Sequence, residues 1–192
     1  MNAVCCTIGM TATLNNLEDF YNDFSIFRCI RETNPKVTIN VHQTTDSELE
    51  STFMKVAMDS KDDKVLWFRN NKKLGSKTSI FHISESIATL GIKSETMYGG
   101  MRIEEKRANK AYQSLIKDSI LPDDCTHLVS TSVLATGVTA YVDRIVFVAK
   151  TDRNINYFMQ AYARDRSEDI IIDLILTEPK SNKKGTDKAM NY

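Results

Sequence analysis

The sequence lacks any long apolar run and any excess of one charge. Its longest apolar stretch, residues 170–176, has the length of a strand and falls well short of the roughly 20 residues that a membrane span needs. No basic start followed by an apolar core marks a signal peptide. Lys plus Arg and Asp plus Glu are both 25, so the formal net charge is zero. We therefore predict an intracellular, cytoplasmic protein without membrane contact, in which any contact with nucleic acid comes from a local patch.

The cysteines are few and their spacing does not suit a metal site. No two of them form a C-x-x-C pair, and the three histidines do not cluster with them. A structural zinc site needs four convergent ligands, usually in closely spaced pairs. We predict no metal site, and we expect buried free thiols of a reducing compartment at Cys5, Cys6, Cys29 and Cys125.

What the sequence does contain is a regular alternation of two patterns. The 192 residues, 42% of them hydrophobic, suffice for one core and an appendage. Apolar runs of strand length alternate with stretches of helical period, which indicates right-handed βαβ crossovers. The sequence thus predicts an α/β domain with a mostly parallel sheet and helices on both faces. The predicted strands are 37–41, 65–69, 94–98, 127–131, 144–149 and 170–176.

The helical stretches each place apolar residues on one face with a period of 3.6 residues. We interpret these stripes as core residues that build the fold and carry no chemistry. The predicted stripes are Leu49, Phe53, Val56 and Ala57; Ile80, Ile83, Ser84 and Ile87; Ala108, Ala111, Tyr112 and Leu115; and Ile155, Phe158, Met159 and Tyr162.

Three short motifs follow one another along the chain. They are Ile8-Gly-Met-Thr-Ala-Thr13, Leu128-Val-Ser-Thr-Ser-Val-Leu-Ala-Thr-Gly-Val-Thr139 and Gln160-Ala-Tyr-Ala-Arg-Asp-Arg166. In this order and spacing they resemble motifs III, V and VI of superfamily 2 helicases. Two further elements fit the same family: residues 65–71 resemble motif IV, and residues 97–101 resemble the glycine element that follows it.

The resemblance implies the second, C-terminal RecA-like domain of such a helicase, a three-layer α/β fold. Residues 35–176 would form this domain, and residues 1–14 would be a remnant of the first RecA-like domain, with Thr11 and Thr13 in the coupling motif. Residues 15–34 would connect the two. Residues 177–192, rich in Lys, Ser, Asn and Gly, are predicted to be disordered.

The first domain's own chemistry is missing from the sequence. There is no G-x-x-x-x-G-K-S/T loop to hold phosphates, and no Asp-Glu pair ends an apolar strand upstream of Thr11. The resemblance therefore implies ATP with Mg²⁺ only in an intact protein that contains the first domain as a partner. The chain alone would bind no cofactor and would not hydrolyse ATP.

Arg164 and Arg166 are the predicted catalytic groups, with Gln160 one turn earlier on the same helix face. A guanidinium is always charged and its fork suits phosphate oxygens, so one of the two arginines could act as an arginine finger. The alternative is a solvated helix end that merely carries a run of charges. The spacing also resembles replication-origin-binding helicases of large DNA viruses, which would indicate a viral or phage DNA-replication protein in the host cytoplasm or nucleus.

The remaining predicted site residues lie in loops after strands. In motif V, Thr131 and Ser132 would contact the phosphates of a DNA or RNA strand, and Gly137 and Thr139 would lie near ATP. Paired glycines let a phosphate backbone approach closely, and an adjacent aromatic ring can stack on a base. These properties suggest nucleic-acid contacts at Tyr98, Gly99 and Gly100.

Two other functions stay open. The same fold could be a non-catalytic nucleic-acid-binding or scaffolding module that has lost motor activity. An unrelated doubly wound cofactor protein is the third possibility, although no G-x-G-x-x-G follows any predicted strand.

Overall fold

The computed structural model describes residues 36–135, 138–150 and 169–177. All six predicted strands are present, and they form one sheet in which every pairing is parallel. The strands are β1 (Lys36–Thr44), β2 (Val65–Phe68), β3 (Ser94–Met97), β4 (His127–Ser130), β5 (Arg144–Lys150) and β6 (Asp169–Thr177). Their order across the sheet is β1-β6-β5-β2-β4-β3.

Four α-helices connect the described strands: α1 (Leu49–Asp59), α2 (Ile80–Thr89), α3 (Ile103–Ala108) and α4 (Lys110–Asp118). The apolar faces of α1 and α2 pack with Trp67 and Val146 on one side of the sheet. Ala111 and Leu115 of α4 pack with Leu128 and Ile145 on the other side. Helices therefore cover both faces, as the alternating pattern predicts.

Two details of the predicted helical stripes were wrong. In α2 the buried serine is Ser86, whereas Ser84 is half-buried and its Oγ lies 2.7 Å from Ser94 Oγ. Ala108 is exposed, because it ends α3 rather than starting α4. Asn109 separates the two helices: its backbone is extended, and its Oδ1 accepts a 2.7 Å hydrogen bond from Tyr112 N. Asparagine is a strong helix N-cap, so the new helix begins there.

An ion-pair cluster ties β5 to β6 and β1: it starts at the amino-terminal end of the sheet, with Arg144 at the start of β5, and extends to Asp173 and His42, which lie further along β6 and β1. Asp173 is 1% exposed and accepts hydrogen bonds at 2.7 Å from both His42 Nε2 and Arg144 Nη1. Arg144 Nε also donates to Asp63 Oδ2 at 3.0 Å. Burial opposes the charge of Arg144, but the bonds to Asp173 and Asp63 outweigh it and raise its pKa. We call Asp63, Arg144, Asp173 and His42 the amino-edge cluster.

The predicted fourth helical stripe, the connector 15–34 and the segments 1–14 and 178–192 lie outside the described residues. Within the described part, no helix has the length and apolarity that crossing a membrane requires.

Candidate functional site

Polar loops that follow three adjacent strands meet at one edge of the sheet. Because β2, β4 and β3 are parallel neighbours, their carboxyl ends lie side by side. In open parallel sheets this is the edge where ligands bind. The three loops are 69–79 after β2, 98–102 after β3 and the described residues 131–135 after β4, and together we call them the carboxyl-edge site.

The loop after β4 begins with the predicted phosphate-contacting hydroxyls. Thr131 is 6% exposed, and its backbone N donates to Met97 O at 3.0 Å, which ties this loop to the end of β3. Ser132 is half-buried and opens a short 3-10 helix, Ser132–Ala135. Thr139 is exposed in the same connection, while Gly137 lies outside the described residues. The structure thus brings Thr131 and Ser132 to the end of β3, where the paired glycines lie.

The loop after β3 holds Gly99 and Gly100. Gly100 has φ +90°, a left-handed conformation that other residues rarely adopt. A side chain added at Gly99 would meet nothing within 4 Å, so the surface here is open to a ligand. Tyr98 is half-buried, and its ring contacts Phe81 edge to face with centroids 5.3 Å apart. Tyr98 therefore has one edge fixed against α2.

The loop after β2 contributes a lysine that the predicted site residues do not include. Lys72 Nζ donates to Gly99 O at 3.0 Å and lies 3.9 Å from the position of a Cβ on Gly100. An ammonium group is thereby held beside the open glycine surface. In sequence Lys72 resembles its exposed neighbour Lys73, and the available signal was its place directly after the motif IV-like residues 65–71.

Arg69 and Asn71 organise the base of the same loop. Arg69 is 8% exposed; its Nε donates to Thr78 O at 3.1 Å, and its Nη1 donates to Val148 O at 3.0 Å. Burial lowers the pKa of Arg69, while the negative charge of Asp46 opposes that shift. Asn71 Nδ2 donates to Thr78 Oγ1 at 2.9 Å. Both ends of the loop are thus joined by side chains from its first residues.

The remaining predicted site residues lie outside the described part of the chain. They are Thr11, Thr13, Gln160, Arg164 and Arg166, so their roles stay predictions. The thiols at Cys5, Cys6 and Cys29 lie outside it as well. Cys125 is a buried free thiol, as predicted, and desolvation raises its pKa to about 12. Such a thiol is a poor nucleophile and metal ligand. No group of three or more His, Cys, Asp or Glu side chains within the described ranges could hold a metal ion.

Comparison with known proteins places this sheet in a recognised fold. No protein-family model and no curated protein sequence matches the chain. Among solved structures, the C-terminal domain of the DEAD-box protein Dbp5 is 12% identical with a TM-score of 0.55, and the match covers 76% of this chain and 78% of that one. A DEAD box protein from the hyperthermophile Methanococcus jannaschii is 14% identical with a TM-score of 0.55, over 88% of this chain and 43% of that one.

The DUF1998 helicase MrfA, solved bound to DNA, gives the same TM-score of 0.55 at 17% identity, over 73% of this chain but only 20% of that one. This chain thus spans less than half the length of the last two proteins. At such identities the similarity establishes the fold, and the chain has the RecA-like α/β fold that these helicase domains share.

Proposed function

We propose that the chain is the second RecA-like domain of an ATP-dependent superfamily 2 helicase or translocase. The observation that carries the proposal is the carboxyl-edge site: Thr131, Lys72 and the paired glycines lie together on a RecA-like sheet. The three motif-like loops are far apart along the chain, and the strand order β2-β4-β3 brings them side by side.

Each group at this edge suits the phosphate backbone of a nucleic-acid strand. Hydroxyls at Thr131 and Ser132 can donate to phosphate oxygens, and the Lys72 ammonium supplies a positive charge. The open surface at Gly99 and Gly100 leaves room for the backbone to approach closely. Contacts to phosphate and sugar carry little sequence information, so we expect this domain to bind single strands with little sequence preference.

The ATP side of the proposal depends on residues of motifs V and VI. Gly137, Thr139 and the arginines 164 and 166 would face a nucleotide held mainly by a first RecA-like domain. The guanidinium groups of Arg164 and Arg166 would offset the negative charge that develops on the transferred phosphoryl group. Of these residues, the structure describes Thr139, which is exposed and free to meet a partner domain. Repeated closure and opening of the two domains would then move the strand.

The nucleic-acid part is tested with the 192-residue chain and short fluorescent single strands of DNA and of RNA. We expect weak binding that falls as salt rises, because phosphate contacts release counterions. Thr131→Val keeps the shape of the side chain and removes its hydroxyl, so it should weaken binding by up to about tenfold. Ser51→Ala, on an exposed turn of α1, is the matched control. Absence of binding to both strands at low salt would rule out this part of the proposal.

The ATP part is tested in a protein that joins this chain to a domain with a phosphate-binding loop. Loss of the finger arginine, in Arg164→Ala or Arg166→Ala, should lower ATP turnover by about 10³-fold or more. Hydrolysis that neither change affects would favour the non-catalytic module, which binds nucleic acid without acting as a motor.

A further inference from the structure

Arg69 is a buried cation at the carboxyl edge, and its side-chain partners among the described residues are two backbone carbonyls. Its guanidinium donates from Nε to Thr78 O and from Nη1 to Val148 O. No carboxylate of the described residues lies within ion-pair distance of it; Asp46 acts on it only through a longer-range Coulombic interaction. A charge that is 8% exposed and pairs with no carboxylate in the described part of the chain is costly to retain. Its retention therefore calls for a role beyond stability.

The first bond closes the loop that contains Lys72. Arg69 is the first residue of this loop and Thr78 is near its end, so the bond from Nε to Thr78 O joins the two ends. Asn71 reinforces the closure, because its O accepts from Ile80 N at 2.9 Å and its Nδ2 donates to Thr78 Oγ1. The direction of Lys72 toward Gly99 O follows from this closed shape.

The other bonds connect this loop to two neighbouring strands. The bond from Nη1 reaches Val148 in β5, two residues before the end of that strand. The backbone N of Arg69 donates to Ser130 O at 2.8 Å, directly before Thr131. One residue thus fixes the end of β2 relative to β4 and β5, and with them the two loops of the carboxyl-edge site.

We propose that Arg69 is a positioning residue for nucleic-acid binding, which holds the Lys72 loop and the Thr131 loop in their binding arrangement without touching the strand. The proposal rests on the proposed function. A planar guanidinium can serve two carbonyls in fixed directions, which the ammonium of a lysine cannot reproduce in the same geometry. Arg69→Lys should therefore weaken nucleic-acid binding almost as much as Arg69→Met.

The test measures affinity for a fluorescent single strand as a function of salt, using the full chain. We expect Arg69→Met and Arg69→Lys to bind about tenfold more weakly, with the salt dependence of wild type. A residue that touches a phosphate behaves differently, because its removal lowers the salt slope by about one. Lys72→Met is expected to show that lowered slope. The unchanged slope is what separates positioning from direct contact.

Two further variants keep the test decisive if an Arg69 variant unfolds. Asn71→Ala opens the same loop without stranding a buried charge, so it should also weaken binding at unchanged slope. Arg144→Met removes a partly buried arginine from the amino-edge cluster; it should lower thermal stability and leave the affinity of the folded protein unchanged.

The possible results separate the two proposals. Wild-type affinity in folded Arg69→Met or in Asn71→Ala would overturn the positioning role while the proposed function stands. A salt slope lowered by about one in the Arg69 variants would also overturn it, in favour of direct contact. If the wild-type chain binds neither DNA nor RNA, the proposed function fails first and the role of Arg69 fails with it.

Discussion

Arg69, which is buried, and Arg144, which is partly buried, lie at opposite ends of the parallel strands and differ in the groups that they donate to. Arg144 donates to two carboxylates, Asp63 and Asp173, and these bonds raise its pKa. Arg69 donates to two carbonyls, and burial lowers its pKa. The charge at the amino edge is compensated by two carboxylates, whereas no carboxylate of the described residues pairs with the charge at the carboxyl edge.

This difference separates an edge stabilised by ion pairs from the edge at which we propose nucleic-acid binding. Ion pairs at the amino edge link β1, β5, β6 and the residues before β2, which fixes the fold. At the carboxyl edge, Lys72, Lys73 and Lys77 form no ion pair with a described carboxylate. Cations that pair with no described carboxylate keep a net positive charge toward an anionic ligand, so an overall neutral chain can still present a local positive surface.

Asp173→Asn should have the largest effect, on stability. It leaves Arg144 buried with one partner instead of two, and breaking a buried ion pair costs about 3 kcal/mol or more in the free energy of unfolding. Denaturant unfolding measures the loss. Asp169→Asn, at the exposed start of the same strand, is the control and should cost less than about 0.5 kcal/mol. If Asp173→Asn instead weakened nucleic-acid binding by the folded protein, the two edges would not be independent.

His127 should make the free energy of unfolding depend on pH. Its Nδ1 accepts from Trp67 Nε1 at 3.2 Å and its Nε2 donates to Ser60 O at 3.1 Å, which requires the neutral ring. Burial lowers the pKa of His127, an effect that the Ser60 carbonyl partly opposes. Because the unfolded chain takes up this proton near pH 6.5 and the folded chain resists it, stability should fall as pH drops below that value, by up to about 1.4 kcal/mol per pH unit.

Comparing wild type with His127→Gln isolates this contribution, since His42 and His82 remain in both proteins. The free energy of unfolding, measured between neutral and mildly acidic pH, should decline less steeply in the variant. Equal slopes would mean that His127 does not titrate differently on folding.

Lys72→Met should have the smallest energetic effect, and only on binding. Removing one exposed ammonium group should weaken binding to a single strand a few-fold and lower the salt slope by about one. Thermal stability should stay within about 0.5 kcal/mol of wild type, because Lys72 is exposed. Lys117→Met, an exposed lysine in the last turn of α4, is the control. Equal salt slopes in the two variants would remove Lys72 from the site.

Much of the architecture could be predicted because it depends on local periodicity. Four-residue runs such as Val65–Phe68 are apolar throughout, as strands buried on both faces must be. The stripe of α1 also follows directly from the 3.6 period, and its four predicted core residues are all buried. The wrong assignment of Ala108 arose because its spacing fits α4, while the cap at Asn109 interrupts the helix.

Local sequence patterns predict less of the candidate site than of the fold. The motif-like loops identified Thr131, Gly99 and Gly100, and the parallel sheet predicts that such loops share an edge. The sequence could not show that Lys72 reaches Gly99 O, 27 residues away. Nothing in the sequence around a surface lysine indicates which distant residue it contacts. Asp173 likewise reads as one polar residue in an apolar run, and its partner His42 lies 131 residues away.

The sequence by itself determined the succession of strands and helices, their parallel arrangement and the edge at which the loops would meet. These features follow from the spacing of apolar residues and from the handedness of βαβ connections, which operate over short stretches of chain. Only the tertiary structure decided which buried charges are compensated and which cations remain available to a ligand. Those outcomes depend on distances between residues far apart in sequence, because electrostatic and hydrogen-bonding energies are set by proximity in space.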